Sequence, residues 1–461
     1  MRSLWSDTVN FPTFEPLTQD LKTDVLIIGG GITGLLCAYM LKQAHVDYAL
    51  VEANEICSGV TQNTTAKITS QHGMIYHQML KRFGTEKTRM YLDANEAALL
   101  EYRRLCQNID CDFETKDNFV YTLSDMQKLE LEMEALQKIG FPAKYAANLP
   151  LPFSTAGAVK FENQAQFHPL NFLAKIAEGL NIYEHTKVQE LKPAASQMKT
   201  VSGTSSISDN IHDPAPAVLT ASKTTATTPH AIITAEKIIV ATHFPFLNKH
   251  GMYFLKMYQH RSYVLALEHA PFMDGMYVDE STRGLSFRNQ ENLLLLGGGS
   301  HRTGKHGGNW TELTQFARTW YPDAVEKYRW ATQDCMPLDN IPYIGQYSPN
   351  TPNLYVATGF HKWGMTTAMA AATLLRDMIL EKENPYTEVF CPSRTMLRPQ
   401  LFVKAFEAAT NLLTFSRKRC PHMGCALKWN PEERTWDCAC HGSRFTEAGE
   451  VINNPATDDL Q

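Results

Sequence analysis

A glycine-rich turn between two apolar segments constrains the fold more than any other feature of this 461-residue chain. In "TDVLIIGGGITGLLCAYMLKQAHVDYALVEA" (residues 23–53), an apolar strand leads into the turn, a helix follows, and a second apolar strand ends at Glu52. This order is typical of a βαβ unit. Gly29, Gly31 and Gly34 let the backbone approach a pyrophosphate, and Glu52 stands where a carboxylate accepts ribose hydroxyls. The segment predicts a Rossmann-type domain that binds a dinucleotide; the alternative is a glycine turn that only eases helix–strand packing.

Composition and charge limit the partners that the chain can have. With 44% hydrophobic and 20% charged residues, the chain is typical of a globular protein. Its 43 Lys and Arg against 48 Asp and Glu give a net charge of −5, so there is no electrostatic case for nucleic acid or an anionic membrane. The chain start lacks the pattern of a secretory signal, and no apolar run reaches the roughly 18 residues of a membrane span. We therefore expect a cytoplasmic protein that acts on a small molecule or another protein.

The rest of the chain alternates strand-like and helix-like segments. Short apolar runs predict strands at residues 181–185, 237–242, 293–299 and 354–359. Apolar residues at helical spacing predict that residues 86–138 are helical and belong to a second lobe. Residues 193–229 are rich in Ser, Thr, Ala and Pro, which predicts a flexible surface insertion. A helix is also predicted over residues 398–415, directly before a cysteine-rich segment.

A second glycine pair, Gly359 and Gly364 in "LYVATGFHKWGMT", follows the last of these strands. With this segment, residues 22–385 resemble the FAD-dependent amine and amino-acid oxidase family, which contains the glycine, sarcosine and D-amino-acid oxidases. In that family the first glycine motif holds the ADP half of FAD, and the late segment lies beside the flavin ring. The resemblance implies an α/β fold in which an FAD-binding domain is interleaved with an α+β substrate domain. The FAD-binding domain would comprise residues 22–95, 165–245 and 335–385, and the substrate domain residues 96–164 and 246–334.

The same resemblance implies which residues contact FAD. The segment "SGVTQNTTAK" (residues 58–67) would run along the pyrophosphate toward the flavin, and Val188 would offer backbone groups to the adenine side. The full set of expected contacts is Gly29, Gly30, Gly31, Gly34, Glu52, Ser58, Thr65, Ala66, Lys67, Val188, Thr242, Gly359, Trp363, Gly364, Met365 and Thr366.

Five residues are candidates for contact with the substrate or for catalysis. The family oxidises a carbon–nitrogen bond by hydride transfer to the flavin and usually holds the substrate carboxylate with basic side chains. Lys67 and Arg288 are the basic candidates, and each could equally be a solvated charge. His72, His361 and Lys362 are candidates for protonation control or flavin contact. A single histidine in a loop, however, is more often a hydrogen-bonded structural residue.

Two further segments bear on the substrate and on metal binding. In the sarcosine and glycine oxidases the late segment ends in a lysine that aligns with Thr366 here. The absence of that positive charge disfavours a simple amino-acid carboxylate as the substrate, and the alternatives are a different amine or a compound that is not an amine. The polar block "HRTGKHGG" (residues 301–308) has no metal-like spacing and predicts a loop after a strand.

Four of the ten cysteines lie in "RCPHMGCALKWNPEERTWDCACHGSRF" (residues 419–445), near the end of the chain. Cys420 and His422 form one pair, and Cys438 and His441 form a second, so that two loops each offer one thiolate and one imidazole. Zinc accepts such a set as a structural site. A Rieske [2Fe–2S] centre uses the same set, with the cysteines on one iron and the histidines on the other.

The segment resembles the Rieske proteins of respiratory and photosynthetic electron chains, whose CxHxGC…CxCHGS pattern it matches almost throughout. The resemblance favours iron–sulfur over zinc, with Cys420, His422, Cys438 and His441 as ligands. It also implies a disulfide between Cys425 and Cys440 that clamps the two ligand loops. High-potential members carry a tyrosine where this chain has Phe445, so one hydrogen bond is absent and we expect a lower potential.

Together these features resemble bacterial FAD-dependent oxidoreductases with a C-terminal Rieske module. We expect a linker helix over residues 386–418 and a short β module over residues 419–461 that leans on the flavin domain. The resemblance implies a dehydrogenase that oxidises a small amine or amino-acid-like substrate at FAD and passes electrons singly through the cluster to a soluble carrier such as a ferredoxin or flavodoxin. The reverse direction fits equally well. The alternatives are a redox-sensing protein without a small substrate and a flavin oxidase with structural zinc.

Overall fold

The structure is a computed structural model that describes residues 3–193, 223–247, 251–281, 284–395, 410–414, 416 and 418–460. The described strands are β1 (Leu21–Ile28), β2 (Tyr48–Val51), β3 (Lys67–Ile68), β4 (Glu114–Thr122), β5 (Lys144–Ala146), β6 (Gly157–Gln166), β7 (Ile182–Tyr183), β8 (Glu190–Pro193), β9 (Thr224–Thr227), β10 (Ile232–Val240), β11 (Met257–Glu268), β12 (Met276–Asp279), β13 (Ser286–Gln290), β14 (Leu293–Arg302), β15 (Val325–Pro337), β16 (Tyr343–Gln346), β17 (Leu354–Thr358), β18 (Leu427–Asn430), β19 (Thr435–Cys438), β20 (Arg444–Thr446) and β21 (Val451–Asn453). The described α-helices are α1 (Leu4–Thr8), α2 (Ile32–Gln43), α3 (Tyr76–Leu105), α4 (Met126–Lys138), α5 (Pro169–Ala177), α6 (Tyr253–Lys256), α7 (Trp310–Trp320), α8 (Gly364–Ile379) and α9 (Thr387–Phe390). Among these helices, none combines the length and the apolar character that a membrane crossing requires.

The first sheet carries the glycine turn. Its main strand order is β16-β17-β10-β1-β2-β7, and β8 and β9 extend it beside β10. The strands from β17 to β7 run parallel, and β16 is antiparallel to β17. Helices α2 and α8 pack against each other, and nearly all of their apolar residues are buried. The predicted α/β fold is confirmed, and the carboxyl ends of β1, β2, β10 and β17 meet at one edge, where ligands of such sheets bind.

The second sheet has nine strands in the main order β15-β11-β14-β13-β12-β4-β6-β3, with β5 beside β6. Helices α3 and α4 confirm the helical periodicity within residues 86–138. The prediction of helix throughout that range is wrong, because β4 lies between the two helices and pairs with β6 and β12. Its first residues are half-buried or exposed, and its buried residues are Asn118 and the run "VYT", so their spacing gives no clear periodicity.

Two predicted connecting segments lie partly outside the described residues. Residues 194–222 of the predicted insertion lie outside the described part of the chain. Near the end of the predicted insertion, β9 is a strand that pairs with both β8 and β10. The insertion is therefore shorter than predicted at its end, where a Thr-rich run favours a strand. Of the predicted linker helix, α9 is a short helix at the start, and residues 396–409 lie outside the described part. The proposed domain boundaries remain a prediction.

The C-terminal residues form a small antiparallel sheet, β18-β19-β20-β21. Its core is correspondingly small and consists of Cys420, Cys425, Leu427, Cys438, Cys440, Phe445 and Ala456. So small a core is marginal unless a metal, a disulfide or contacts with the rest of the chain support it.

Candidate functional site

The glycine turn between β1 and α2 is packed so tightly that two of its residues have no room for a side chain. Gly29 has a φ of +110°, and a Cβ there would lie 2.7 Å from the carbonyl oxygen of Ala241, just after β10. A Cβ on Gly34 would overlap the carbonyl oxygen of Gly29. Because α2 begins at Ile32, the positive end of its dipole lies at the turn. This arrangement lets a pyrophosphate approach the backbone closely.

The Glu52 carboxylate, just after β2, lies against the same turn. Its Oε2 accepts a hydrogen bond from the Gly30 N–H at 2.6 Å, and its Oε1 accepts one from the Asn54 N–H at 3.0 Å. Each carboxylate oxygen can accept a second hydrogen bond, so both can still receive a hydroxyl. Glu52 lines a cleft together with Gly29 and Gly31. The turn and the carboxylate therefore fit the ADP half of FAD.

The cleft extends from this turn to the segment that follows β17, so that the two glycine segments meet along one cavity. The expected FAD contacts that line it are Gly29, Gly31, Glu52, Ser58, Val188, Thr242, Gly359, Gly364 and Met365. The expected contacts that do not line it are Gly30, Gly34, Thr65, Ala66, Lys67, Trp363 and Thr366.

Lys67 and Arg288 are neighbours, and neither lines the cleft. The Lys67 ammonium donates to Thr65 Oγ1 at 3.2 Å, and burial, followed by the nearby Arg288 charge, lowers the pKa of Lys67 to about 7. Arg288 is fully buried and donates to the carbonyl oxygens of Thr65 and Ala66 at 3.0 and 2.8 Å. Burial lowers the pKa of Arg288 to about 9. These contacts support the loop before β3.

His72 is also enclosed by protein groups. Its Nδ1 lies 2.6 Å from the Tyr91 hydroxyl, and its Nε2 lies 2.8 Å from the Thr69 carbonyl oxygen and 3.0 Å from Thr366 Oγ1. The ring stacks on Trp363 with 5.2 Å between centroids. Burial lowers the pKa of His72 to about 3, so the imidazole is neutral. His72 therefore joins the Thr69 loop to the start of α8 and does not reach the cleft.

Lys362, by contrast, lines the cleft. Asp334, an acidic residue that belongs to no recognisable motif, lines the cleft as well. The Lys362 ammonium donates to Ser300 Oγ at 2.9 Å, and Asp334 on β15 lines the same cavity. Burial raises the pKa of Asp334 to about 6, although the charge of Lys362 opposes the rise. Burial lowers the pKa of Lys362, which Asp334 opposes, and lowers the pKa of His361 to about 4. An ammonium and a carboxyl group are thus the charged groups at this end of the cleft.

The C-terminal segment brings the two cysteine–histidine pairs together. The rings of His422 and His441 lie edge to face with 4.9 Å between centroids. Both rings also contact the ring of Phe254 on α6, with 6.0 and 5.7 Å between ring centroids. The thiols of Cys420 and Cys438 hydrogen-bond to each other. The two thiols therefore lie next to each other, and so do the two imidazoles. This arrangement fits a centre with two sulfur and two nitrogen ligands.

Further hydrogen bonds to the cysteine sulfur atoms favour their thiolate form. The pKa of Cys420 is lowered to about 7, first by the hydrogen bond from Cys438 and then by those from the Ser443 hydroxyl and from two backbone N–H groups of its loop. The N–H groups of His441 and Cys440 point to Cys438 in the same way. Such bonds to cluster sulfur atoms help to set the reduction potential.

A disulfide joins Cys425 to Cys440, with 6.6 Å between their Cα atoms. Cys438 lies close to both of these sulfur atoms, but only Cys438 remains available as a thiolate ligand. The bond ties the first ligand loop to the second, as the resemblance implies. Phe445, at the position where high-potential Rieske proteins carry a tyrosine, is fully buried in the small core.

Two glutamines of the second sheet contact the second ligand loop. The Gln259 side chain on β11 donates to the carbonyl oxygen of His441 at 3.0 Å, and Gln333 on β15 donates to that of Gly442 at 2.9 Å. Gln333 also donates to the Gln259 side chain. A Cβ on Gly442 would lie 2.5 Å from the Gln259 Cβ, so this contact is close. Gln259 lines the FAD cleft as well, and it thus contacts both regions.

A buried ion network joins the C-terminal module to the second sheet at another point. Arg261 on β11 and Arg444 on β20 both bind the Glu433 carboxylate, and Arg444 also binds Asp437 at 3.0 Å. The Tyr263 hydroxyl donates to Glu433 at 3.1 Å. All four charged side chains are at most 10% exposed. Removal of one member would leave a buried charge unpaired, which is strongly destabilising, so the module and the second sheet depend on each other at this contact.

The polar block 301–308 also belongs to this interface. It includes the end of β14 and the loop that leads to α7. Gly304 has a φ of +72°, and a Cβ there would lie 2.5 Å from the backbone nitrogen of Ala439, which lies between the ligand Cys438 and the disulfide-bonded Cys440. Arg302 donates to the Cys440 carbonyl oxygen at 3.4 Å. The predicted loop is confirmed, and its contact with the ligand loop is the part that the sequence did not indicate.

The dinucleotide cleft and the paired cysteine–histidine ligands define an FAD-dependent oxidoreductase that carries a Rieske [2Fe–2S] centre. Residues 24–378 match the family model described as DAO, FAD dependent oxidoreductase, and residues 400–461 match that of the Rieske [2Fe-2S] domain. The chain belongs to the FAD dependent oxidoreductase family. FAD and a [2Fe–2S] cluster are its cofactors, which disfavours the structural-zinc alternative.

Similar proteins share one or both parts. YhfW of Bacillus subtilis (strain 168), named for a Rieske 2Fe-2S iron-sulfur centre, is 36% identical over 99% of this chain and 96% of its own length. The glycine oxidase of Geobacillus kaustophilus has a TM-score of 0.64 at 19% identity, over 82% of this chain and all of that one. The L-proline dehydrogenase of P. horikoshii has a TM-score of 0.63 at 16% identity, over 81% of this chain and 98% of that one. The last two support the fold of the flavin part.

Proposed function

We propose that the chain is a dehydrogenase that oxidises a small amine or amino-acid-like substrate by hydride transfer to FAD. Its electrons then leave one at a time through the Rieske cluster to a soluble carrier such as a ferredoxin or flavodoxin. FAD supplies two-electron chemistry and the cluster supplies one-electron chemistry. The names of the glycine oxidase and the L-proline dehydrogenase, which both denote amino acids, support the substrate class.

The observation that carries the proposal is the position of Gln259. Its side chain lines the cleft that fits FAD and donates to the carbonyl oxygen of His441, a cluster ligand. It also donates to the Asn454 carbonyl oxygen at 2.7 Å. One residue therefore separates the two cofactor sites at this point, which supports electron transfer within a single chain.

For the substrate side, we propose Lys362 and Asp334 as the acting groups. The lysine that the family places at position 366 is replaced by Thr366, whose hydroxyl donates to the Thr69 carbonyl oxygen. Lys362 lines the cleft and can hold a carboxylate in its place. Asp334, whose pKa is raised to about 6, can accept a proton from a substrate ammonium near neutral pH. His361 would then position this segment, and Lys67, Arg288 and His72 would support the surrounding loops.

Two measurements test the proposal. An anaerobic panel of amines, amino acids and hydroxy acids, followed by flavin bleaching and the cluster signal together, identifies the substrate class. In Cys438→Ser we expect flavin reduction by that substrate to persist while carrier reduction is lost. Cys391→Ser, at a free cysteine outside the module, is the matched control. If Cys438→Ser binds FAD normally but its flavin is no longer reduced, the proposed division of roles is wrong.

A further inference from the structure

The cleft that fits FAD is not closed by the flavin part of the chain alone. Four of its lining residues come from the Rieske module: Ile452, Asn453, Asn454 and Thr457. The first two lie on β21, and the others lie in the segment that follows it. We name residues 452–457 the C-terminal wall. A Rieske module that only exchanged electrons would not need to supply part of a dinucleotide site.

The C-terminal wall is fixed at both of its ends to the flavin part. The Asn454 side chain donates to the Phe244 carbonyl oxygen at 3.3 Å, near the carboxyl end of β10. At the other end, the Lys187 ammonium donates to the Thr457 carbonyl oxygen at 2.8 Å. Lys187 precedes Val188, which is expected on the adenine side. The wall therefore runs along the half of the cleft that fits ADP.

Asn453 has a buried polar atom whose partner is not found within the described part of the chain. Its Oδ1 is shielded from solvent and receives no hydrogen bond from the described residues, although the residue lines the cleft. A buried oxygen without a hydrogen bond is costly, and native structures rarely keep one without a reason. A hydroxyl or amino group of a dinucleotide in the cleft would satisfy it.

We propose that the C-terminal wall is part of the FAD site and that the Asn453 side chain accepts a hydrogen bond from the dinucleotide. FAD bound there holds the Rieske module in its docked position, and the docked module slows the release of FAD. Because two sites that share a contact stabilise each other reciprocally, both effects have the same origin. The inference concerns cofactor binding and holds whichever substrate the enzyme oxidises.

Hydrogen exchange of the unmodified chain tests the wall itself. With the cluster in place, we expect FAD to slow exchange in peptides that cover residues 452–457. Peptides that cover residues 141–150, which do not line the cleft, serve as the control and should not change. Equal exchange of the C-terminal wall with and without FAD would overturn the proposal, and this measurement does not depend on the folding of any variant.

Substitution tests the role of Asn453. In Asn453→Ala we expect the FAD dissociation constant to rise about threefold to tenfold, because the variant loses one hydrogen bond to FAD. Flavin fluorescence during titration of FAD-depleted protein measures it, with iron content showing that the module is intact. Glu447→Gln, at an exposed ion pair with Arg434 in the same module, is the control and should bind FAD as the wild type does. An Asn453→Ala protein with full iron and unchanged FAD affinity would exclude the hydrogen bond.

Discussion

The glycine turn and the cluster loops both hold a cofactor, but they obtain their geometry in different ways. The turn is determined within one βαβ unit, where Gly29, Gly34 and Glu52 lie no more than 23 positions apart. The cluster loops lie on a module with a core of a few residues, and Gln259, Arg261 and other residues of the second sheet hold that module from outside. A cofactor site can thus be complete locally or depend on a distant part of the chain.

The largest effect is expected where the module depends on the sheet. Arg261→Ala leaves Glu433 with one partner instead of two in a buried position, which we expect to cost roughly 3–5 kcal/mol of the stability of the docked module. Urea unfolding, followed at the cluster absorbance and at the flavin absorbance, measures the two regions separately. The cluster transition should shift to much lower urea than in the wild type.

Arg434→Ala is the matched control for this change. Arg434 pairs with Glu447 on the surface of the same module, and both side chains are mostly exposed. Surface ion pairs contribute little, so its cluster transition should stay near that of the wild type. If Arg261→Ala behaves like Arg434→Ala, the module is stable by itself and the contrast between the two regions does not hold.

A substitution in the glycine turn should weaken FAD binding and leave the cluster in place. In Gly34→Val the side chain would overlap the Gly29 carbonyl oxygen, so the turn has to open, and we expect FAD affinity to fall about 100-fold. The iron content should stay at the wild-type level, because the atoms that a Gly34 side chain would meet belong to Ile27 and Gly29, within β1 and the turn. Ala147→Val is the control, since Ala147 is exposed and does not line the cleft. Loss of iron together with FAD would show that the module depends on the turn as well.

The same contrast explains what could be predicted from the sequence. The glycine turn, its acidic partner and the cysteine–histidine spacing are short-range patterns, and each was recognised from residues close together in the chain. The fold class and both cofactors followed from them. The contacts of Gln259 with His441 and of Arg261 with Glu433 join residues more than 170 positions apart. A single sequence gives no signal for such pairs. The small size of the module predicts that it leans on the rest of the chain, but the residues that hold it could not be predicted.

Individual side chains show the same limit. Lys67 and His72 lie at or close to the end of the segment expected along FAD, yet the structure turns both side chains, and that of Arg288, toward protein groups and away from the cleft. Asp334 stands in "ATQDCMP", which contains no motif, and it reaches the cleft because β15 passes beside the segment after β17. Proximity to a motif predicts where a residue lies, but the direction of its side chain depends on the packing of distant strands.

Asp334 lines the cleft, and its chain neighbour Gln333 contacts the second ligand loop. The pH dependence of substrate oxidation tests the role of Asp334. Because burial raises the pKa of Asp334 to about 6, its carboxyl group holds a proton below that pH and cannot accept another. We expect kcat/KM for flavin reduction to fall about tenfold per pH unit below pH 6 and to be level just above it. Asp334→Asn should lose this acidic limb, whereas Asp323→Asn, at an exposed position, should retain it. An unchanged limb in Asp334→Asn assigns the proton to another group.

Gln259 contacts both regions directly, and its replacement should have the smallest effect on stability and a selective effect on electron transfer. Gln259→Leu keeps the volume but removes the hydrogen bonds to the His441 and Asn454 carbonyl oxygens. Because these bonds hold the ligand loop against the cleft, we expect cluster reduction after light-driven flavin reduction to slow about threefold to tenfold. Gln346→Leu, on β16, removes bonds to Ser348 and Pro349 only and should leave the rate unchanged. Flavin reduction should be equal in both variants, so a slowed flavin step in Gln259→Leu would place this residue in the substrate site instead of the connection between the cofactors.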